Sequence, residues 1–382
     1  EEKRMQQMLF AKKTAMAVAI GLALSGRWVA AIILGAIGVL VIGTVDNLLR
    51  PMFSRYGQLK LPTFVLFLAI FGGIALYGAA GIILGPLLVR LGVEALNLAL
   101  RAVADPGDTI AVESPTFYGL LQVLESLGMR ALEIPTSPQT GISLDALEMA
   151  MQTYDNIKAV VVVPHLQNPL GSIMPDAHKQ GLVQLCENHG VALIEDDTYS
   201  ELVNEATRGD TPLRAMKSWD TTGNVIYCAS LHKILAPGIR IGWMAAGRWQ
   251  ARVEMLKFTQ TRSNEELSQL AVAVPMCILY EIGIWAAQLF IKHTIASYFP
   301  EGTRLNVPDG GLSLWVELPH KLSSRRVFDA ALAQQILVTP GQMFSNTLRF
   351  DPYLRINCGW PHQQDVEQGL RRLGQIVTEL VE

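Results

Sequence analysis

Hydrophobic and polar positions divide this chain into two unlike parts. Near its start, Trp28–Val45 and Thr63–Val89 are uncharged apolar runs of 18 and 27 residues. A helix needs about 20 apolar residues to cross a bilayer, so each run predicts a membrane span. Ala15–Ser25 is apolar but shorter; it predicts an interfacial helix, or an extension of the first span interrupted by Arg27. From Leu91 onward, short apolar runs alternate with amphipathic stretches. Glu94–Val103 predicts a helix, Asp105–Asp108 a turn and Thr109–Glu113 a strand. Further strands are predicted at Lys158–Val163, Val191–Glu195, Val225–Ala229 and Ile241–Ala246, with a helix over Asp176–His189. Such alternation predicts an α/β domain with a mainly parallel sheet and helices on its faces. Ligands of such sheets sit outside the carboxyl ends of the strands.

Composition agrees with this division. The 382 residues suggest two or three domains, and half of them are hydrophobic. Only 17% are charged, against about 25% in an ordinary soluble protein. Mean hydropathy is +0.28, which excludes disorder as the dominant state. A net charge of −3 gives no basic excess, so no nucleic-acid partner is expected. Cys186, Cys228, Cys277 and Cys358 are too far apart for a local zinc knuckle, and neither a metal nor a disulfide framework is expected. Lys3, Arg4, Lys12 and Lys13 make the start basic, but no small-residue cleavage site follows, so a signal peptide is not expected.

Polar clusters follow the predicted strands. After Val225–Ala229 comes Ser230-Leu231-His232-Lys233, then Pro237-Gly238-Ile239-Arg240. A lysine that is to act as a nucleophile must lose its proton, and burial beside a cationic group lowers its pKa. A serine hydroxyl and an arginine fork suit a phosphate. After Val191–Glu195 comes Asp196-Asp197-Thr198-Tyr199, an acidic turn in which either aspartate could face a ligand. After Lys158–Val163 comes Pro164-His165-Leu166-Gln167-Asn168-Pro169-Leu170-Gly171, whose Asn-Pro-x-Gly part is by itself only a turn signal. Ser114-Pro115-Thr116-Phe117-Tyr118-Gly119 brings aromatics to another strand end, and Tyr353-Leu354-Arg355-Ile356-Asn357 places an arginine in a strand near the C-terminus.

These segments, in this order, resemble the class I/II (fold-type I) aminotransferases that depend on pyridoxal 5′-phosphate (PLP). The resemblance covers about 94–273 and 298–382. The wording VESPTFYGLLQ and IEDDTYSEL is most similar to the aminotransferase domain of MocR/GntR-type regulators. The winged helix of those regulators is not recognised here. The resemblance implies that Lys233 bonds the cofactor aldehyde, while Ser230 and Arg240 hold its phosphate. Asp196 would pair with the pyridine nitrogen, with Asp197 as its rival. Asn168 and Tyr199 would bond the ring 3′-oxygen, and Phe117, or else Tyr118, would stack on the ring. Arg355, with Asn168, would hold the substrate α-carboxylate. Lys233, Asp196 and Tyr199 are the implied catalytic set. The chain departs from the family pattern at Leu170, where threonine is usual. It departs again at Val89–Val93, where a hydroxyl-bearing phosphate cup is usual.

Two further resemblances complete the expectation. Asp46-Asn47, Arg50-Pro51, Gly72-Gly73, Gly81 and Gly85-Pro86 resemble the autoinducer-2 exporter (PerM-like) membrane family. Pro275–Trp285 resembles a helix of the translocase subunit TatC. The expected layout is a mosaic: an all-α membrane segment over 1–90, a PLP-binding large domain over 91–273, a connecting helix over 274–297 and a small C-terminal α+β domain over 298–382. The expected function is amino-group transfer between an amino acid and a 2-oxo acid. The protein would be a homodimer on the inner (cytoplasmic) membrane, with its enzyme domain facing the cytoplasm. Rival functions are membrane transport or anchoring with an inert domain, and amino-acid sensing through bound PLP without turnover.

Overall fold

The computed structural model describes residues 94–204, 207, 213–231, 233–234, 241–261, 278–359 and 364–381. The predicted spans at 28–45 and 63–89 lie outside the described residues, as do Val89–Val93 and Arg240. Among the described residues, no helix is long and apolar enough to cross a membrane.

Helix α1 (Glu94–Val103) is amphipathic, and Leu96, Ala99 and Leu100 recur at helical spacing on its buried face. Strand β1 (Thr109–Ser114) is buried throughout. Then follow α2 (Tyr118–Ser126), β2 (Arg130–Ser137), β3 (Gly141–Ile142) and α3 (Leu144–Thr153), the last capped by the Ser143 hydroxyl, which accepts from the Ala146 N–H. Strand β4 (Ile157–Val162), helix α4 (Asp176–Asn188) and strand β5 (Ala192–Asp196) continue the alternation. Strands β6 (Val225–Ser230) and β7 (Gly242–Ala245) lead to α5 (Gln250–Thr261).

The seven strands form one sheet in the order β3-β2-β1-β4-β5-β6-β7. Strands β2, β1, β4, β5 and β6 are parallel; β3 and β7 are reversed at the two edges. The mainly parallel sheet expected from the sequence is therefore a mixed one. Strand order reverses at β1, which lies between β2 and β4, and a crevice at the carboxyl ends is expected beside such a point. Side-chain alternation splits the core between the two faces. Ile110, Val112, Ile194 and Cys228 pack on one face with α1, and Ala111, Val160, Leu193 and Val225 pack on the other with α3 and α4.

Helix α6 (Ile278–Tyr298) falls where the connecting helix was expected. Its Ile291 and Ile295 are buried in the core of the C-terminal part, and the Gln288 amide donates to the Gly310 carbonyl. That part contains β8 (Arg304–Leu305), β9 (Ser313–Glu317), α7 (Ser324–Leu332), β10 (Thr339–Pro340), β11 (Tyr353–Asn357) and α8 (Gln364–Val381). Its four strands form an antiparallel sheet ordered β10-β11-β9-β8. Leu370, Leu373 and Val377 of α8 cover that sheet. This part is an α+β layer with its own apolar core.

Candidate active site

The parallel strands bring their polar carboxyl-terminal segments to one end of the large sheet. Asp196 closes β5 and lies opposite Cys228 in the β6 register. Its Oδ1 accepts from the Thr198 hydroxyl at 2.5 Å. Burial pushes this carboxyl up to about 6, against the Thr198 hydrogen bond, and the neighbouring Asp197 adds to the rise. A buried carboxyl of this kind is stabilised as an anion by a cation placed beside it.

Tyr199 lies three residues on. Burial, then the field of Asp196, pushes its phenol up to about 12; Arg355 and a hydrogen bond with Asn168 pull the other way. Asn168 is itself buried, on the loop after β4. The following turn depends on Gly171, which has φ +69°, and a Cβ there would collide with the Pro308 ring. Arg355 reaches this group from β11, in the other sheet. Its Nη1 donates to Asn168 Oδ1 at 3.5 Å, and its Nε is buried with no partner. The guanidinium also stands 5.8 Å from the Tyr118 ring centre and 5.6 Å from that of Phe344.

The structure thus brings together Asp196, Tyr199, Asn168, Arg355 and Tyr118. Phe117 lies beside Tyr118, with ring centres 4.9 Å apart, but it packs toward the core shared with α1, over Gly119. Ser230 ends β6, and Lys233 lies in the turn that follows, half-buried, where the Leu231 N–H donates to Ile241 and the Ile234 N–H to Leu231. β5 and β6 are neighbours, so Lys233 follows the strand beside Asp196.

Alternation along β5 separates the two aspartates. The Asp197 side chain meets His165 and Tyr227, on the face opposite that of Asp196. Several residues near the site carried no sequence signal of their own. Buried Glu113 accepts from the Val163 N–H at 3.0 Å, and its other oxygen is unpartnered. Burial pushes its carboxyl up to about 8. Thr198 could have been singled out, since a hydroxyl two residues after an aspartate often turns back to bond it.

Residues 87–275 match the family model described as aminotransferase class I and II. This stretch is similar to a class I and II aminotransferase domain. The E. coli HTH-type transcriptional regulator YjiR is 36% identical over 301 residues, which is 76% of this chain and 62% of that protein. The chain therefore spans less than two thirds of that relative's length. Aromatic-amino-acid aminotransferase 1 of Thermococcus litoralis is 28% identical, covering 75% of this chain and 70% of that protein. The α-aminoadipate aminotransferase of Thermus thermophilus, solved with N-(5′-phosphopyridoxyl)-L-leucine, superposes with a TM-score of 0.66 at 25% identity, over 76% of each chain. The family's cofactor is PLP. The residues of the aminotransferase domain fit that group and an amino-acid substrate, in one respect each. A buried carboxyl at Asp196 suits a protonated ring nitrogen, and the unpartnered Nε of Arg355 suits an anion.

Proposed function

We propose that this protein is a PLP-dependent aminotransferase that moves an amino group from an amino acid to a 2-oxo acid. The observation that carries this reading is the convergence of Asp196, Tyr199, Asn168 and Arg355 at the carboxyl ends of the sheet strands. When bound, PLP supplies an aldehyde for the amine and a ring that takes up the electron pair released at the substrate Cα. Asp196 holds the ring nitrogen protonated by charge pairing. Tyr199 and Asn168 bond the ring oxygen. Lys233 carries the reactive amine and moves the proton at Cα as general base and then acid. Arg355 grips the substrate carboxylate through its planar fork. Ser230 and Arg240 hold the phosphate, and Tyr118 or Phe117 covers the ring.

The test is spectroscopic. The full chain titrated with PLP is expected to develop a visible absorbance band, and Lys233→Ala to abolish it. Folded wild type with excess PLP and no band overturns the reading.

The likeness to a transcriptional regulator favours one second reading, an amino-acid sensor that binds without turnover. It predicts a spectral shift on adding an amino acid with no 2-oxo acid formed. The uncharged runs at 28–45 and 63–89 support a tether to the cytoplasmic membrane. A protein released from membranes by alkaline carbonate would rule that tether out.

A further inference from the structure

Behind the site, on the sheet face opposite Asp196, four side chains join in a line. Lys179 Nζ, on α4, lies 2.8 Å from His165 Nε2, and His165 Nδ1 lies 2.6 Å from Asp197 Oδ1. Tyr227 Oη donates to Asp197 Oδ2 at 3.0 Å. His165 is 0% exposed and Lys179 1%, so water does not interrupt the line. The same Nζ also donates to the Arg214 carbonyl at 2.9 Å and to Asp176 Oδ1 at 3.2 Å.

Counting donors fixes where the protons are. A lysine ammonium has three N–H donors and no acceptor. With Lys179 an ammonium, its three partners here use all of them, and His165 Nε2 accepts. A neutral imidazole that accepts at Nε2 carries its proton on Nδ1, and that proton goes to Asp197. Asp197 then accepts at both oxygens and is held as a carboxylate. The line also links the loops that bear the site. His165 stands three residues before Asn168, Asp197 follows Asp196, and Tyr227 lies on the strand that leads to Lys233.

We propose that Lys179, His165, Asp197 and Tyr227 are positioning residues that order protons behind the cofactor site, keeping His165 neutral and Asp197 anionic and so fixing the electrostatic field around Asp196. This rests on the PLP reading above. Other charged or titratable groups act on the line or lie beside it, some of them across the sheet. They are Glu195 and Asp196 from β5, Asp176 from α4, Glu201 from the turn after Tyr199, and Glu113, which acts on Asp196 from β1.

The test has two arms. In the first, the full chain without cofactor is labelled with 15N-histidine, and His165→Gln assigns the resonance. The ring is expected to be neutral with its proton on Nδ1, and Lys179→Met to lose that single tautomer. A wild-type ring protonated at Nε2 overturns the proposal. In the second arm, the pH midpoint of the visible band is read in the PLP-loaded protein. In any titration the acid form is one charge more positive, so neutralising a nearby anion lowers the midpoint, and stripping that anion of a hydrogen bond raises it. Asp197→Asn is therefore expected to lower the midpoint and Tyr227→Phe to raise it, each by about half a pH unit. Loss of packing alone gives no such opposition. Shifts of the same sign, or none in variants with wild-type circular dichroism, overturn the proposal. If wild type shows no band, the PLP reading fails, and the histidine spectrum alone decides the proton order.

Discussion

Asp196 and Asp197 are neighbours in the chain, yet they face opposite sides of one sheet. Asp196 looks toward Tyr199 and Cys228, and Asp197 toward His165 and Tyr227. Their chemistry should therefore differ sharply. Asp196→Ala is expected to lower transamination about 10²–10³-fold, the usual loss when one preorganised electrostatic group is removed. Stopped-flow half-reactions would measure it. Unchanged rates would assign the ring nitrogen to another residue.

Arg355 has a buried Nε with no partner, which a carboxylate would satisfy. Arg355→Gln is expected to raise KM for the amino acid about 10–100-fold, as for loss of a charged, paired hydrogen bond. The visible band with PLP should persist, because in the PLP reading this side chain holds the substrate and not the cofactor. Steady-state kinetics together with the absorbance spectrum separate the two effects.

Most of the large sheet was legible because its strands are short apolar runs ending in polar turns. Glu94–Val103 is the helix its pattern predicts, and β1, β4, β5 and β6 lie within a residue of expectation. β2 was not legible. Its residues are mostly half-exposed, and its sequence, RALEIPTS, includes a proline and two charges that blunt the period-2 signal. The reversal of β7 was also hidden, since an apolar run carries no direction. At the site, order along the chain identified Asp196, Tyr199, Asn168 and Arg355 as candidates, and the structure brings them together. It gave no hint of Lys179, a surface-type residue whose burial is decided by the loops around it. Between Phe117 and Tyr118, only three dimensions distinguish the ring that meets Arg355 from the one that packs toward the core.

Glu113 provides a pH test of stability. Its carboxyl is pushed from an ordinary 4.5 up to about 8, chiefly by burial. The folded state therefore binds its proton more tightly than the unfolded chain does. That contribution is complete below pH 4.5 and is lost as pH rises through about 8. Glu113→Gln should match wild type near pH 4.5 and melt progressively higher than wild type up to pH 8. Calorimetry across that range checks the sign. A Tm difference that does not grow with pH would show that Glu113 stays ionised.

Glu133, on β2, joins the large sheet to the loop between β10 and β11. Its Oε2 accepts from the Ser114 hydroxyl at 2.6 Å and from the Ser345 hydroxyl at 2.7 Å, and its Oε1 accepts from the Asn346 N–H at 2.5 Å. Glu133→Ala should destabilise the fold by about 2 kcal/mol, the scale for hydrogen bonds to a charged group. It should also speed proteolysis around Asn346. Urea denaturation and timed digestion would read both effects.

Arg355 meets Asn168 across 187 positions of chain. During synthesis the segments bearing Asp196 and Lys233 emerge well before the guanidinium does. A nascent polypeptide halted before Ile278 would hold Asp196 and Lys233 without Arg355. In the PLP reading, the groups that hold the cofactor are thus made before the arginine that grips an amino acid's carboxylate.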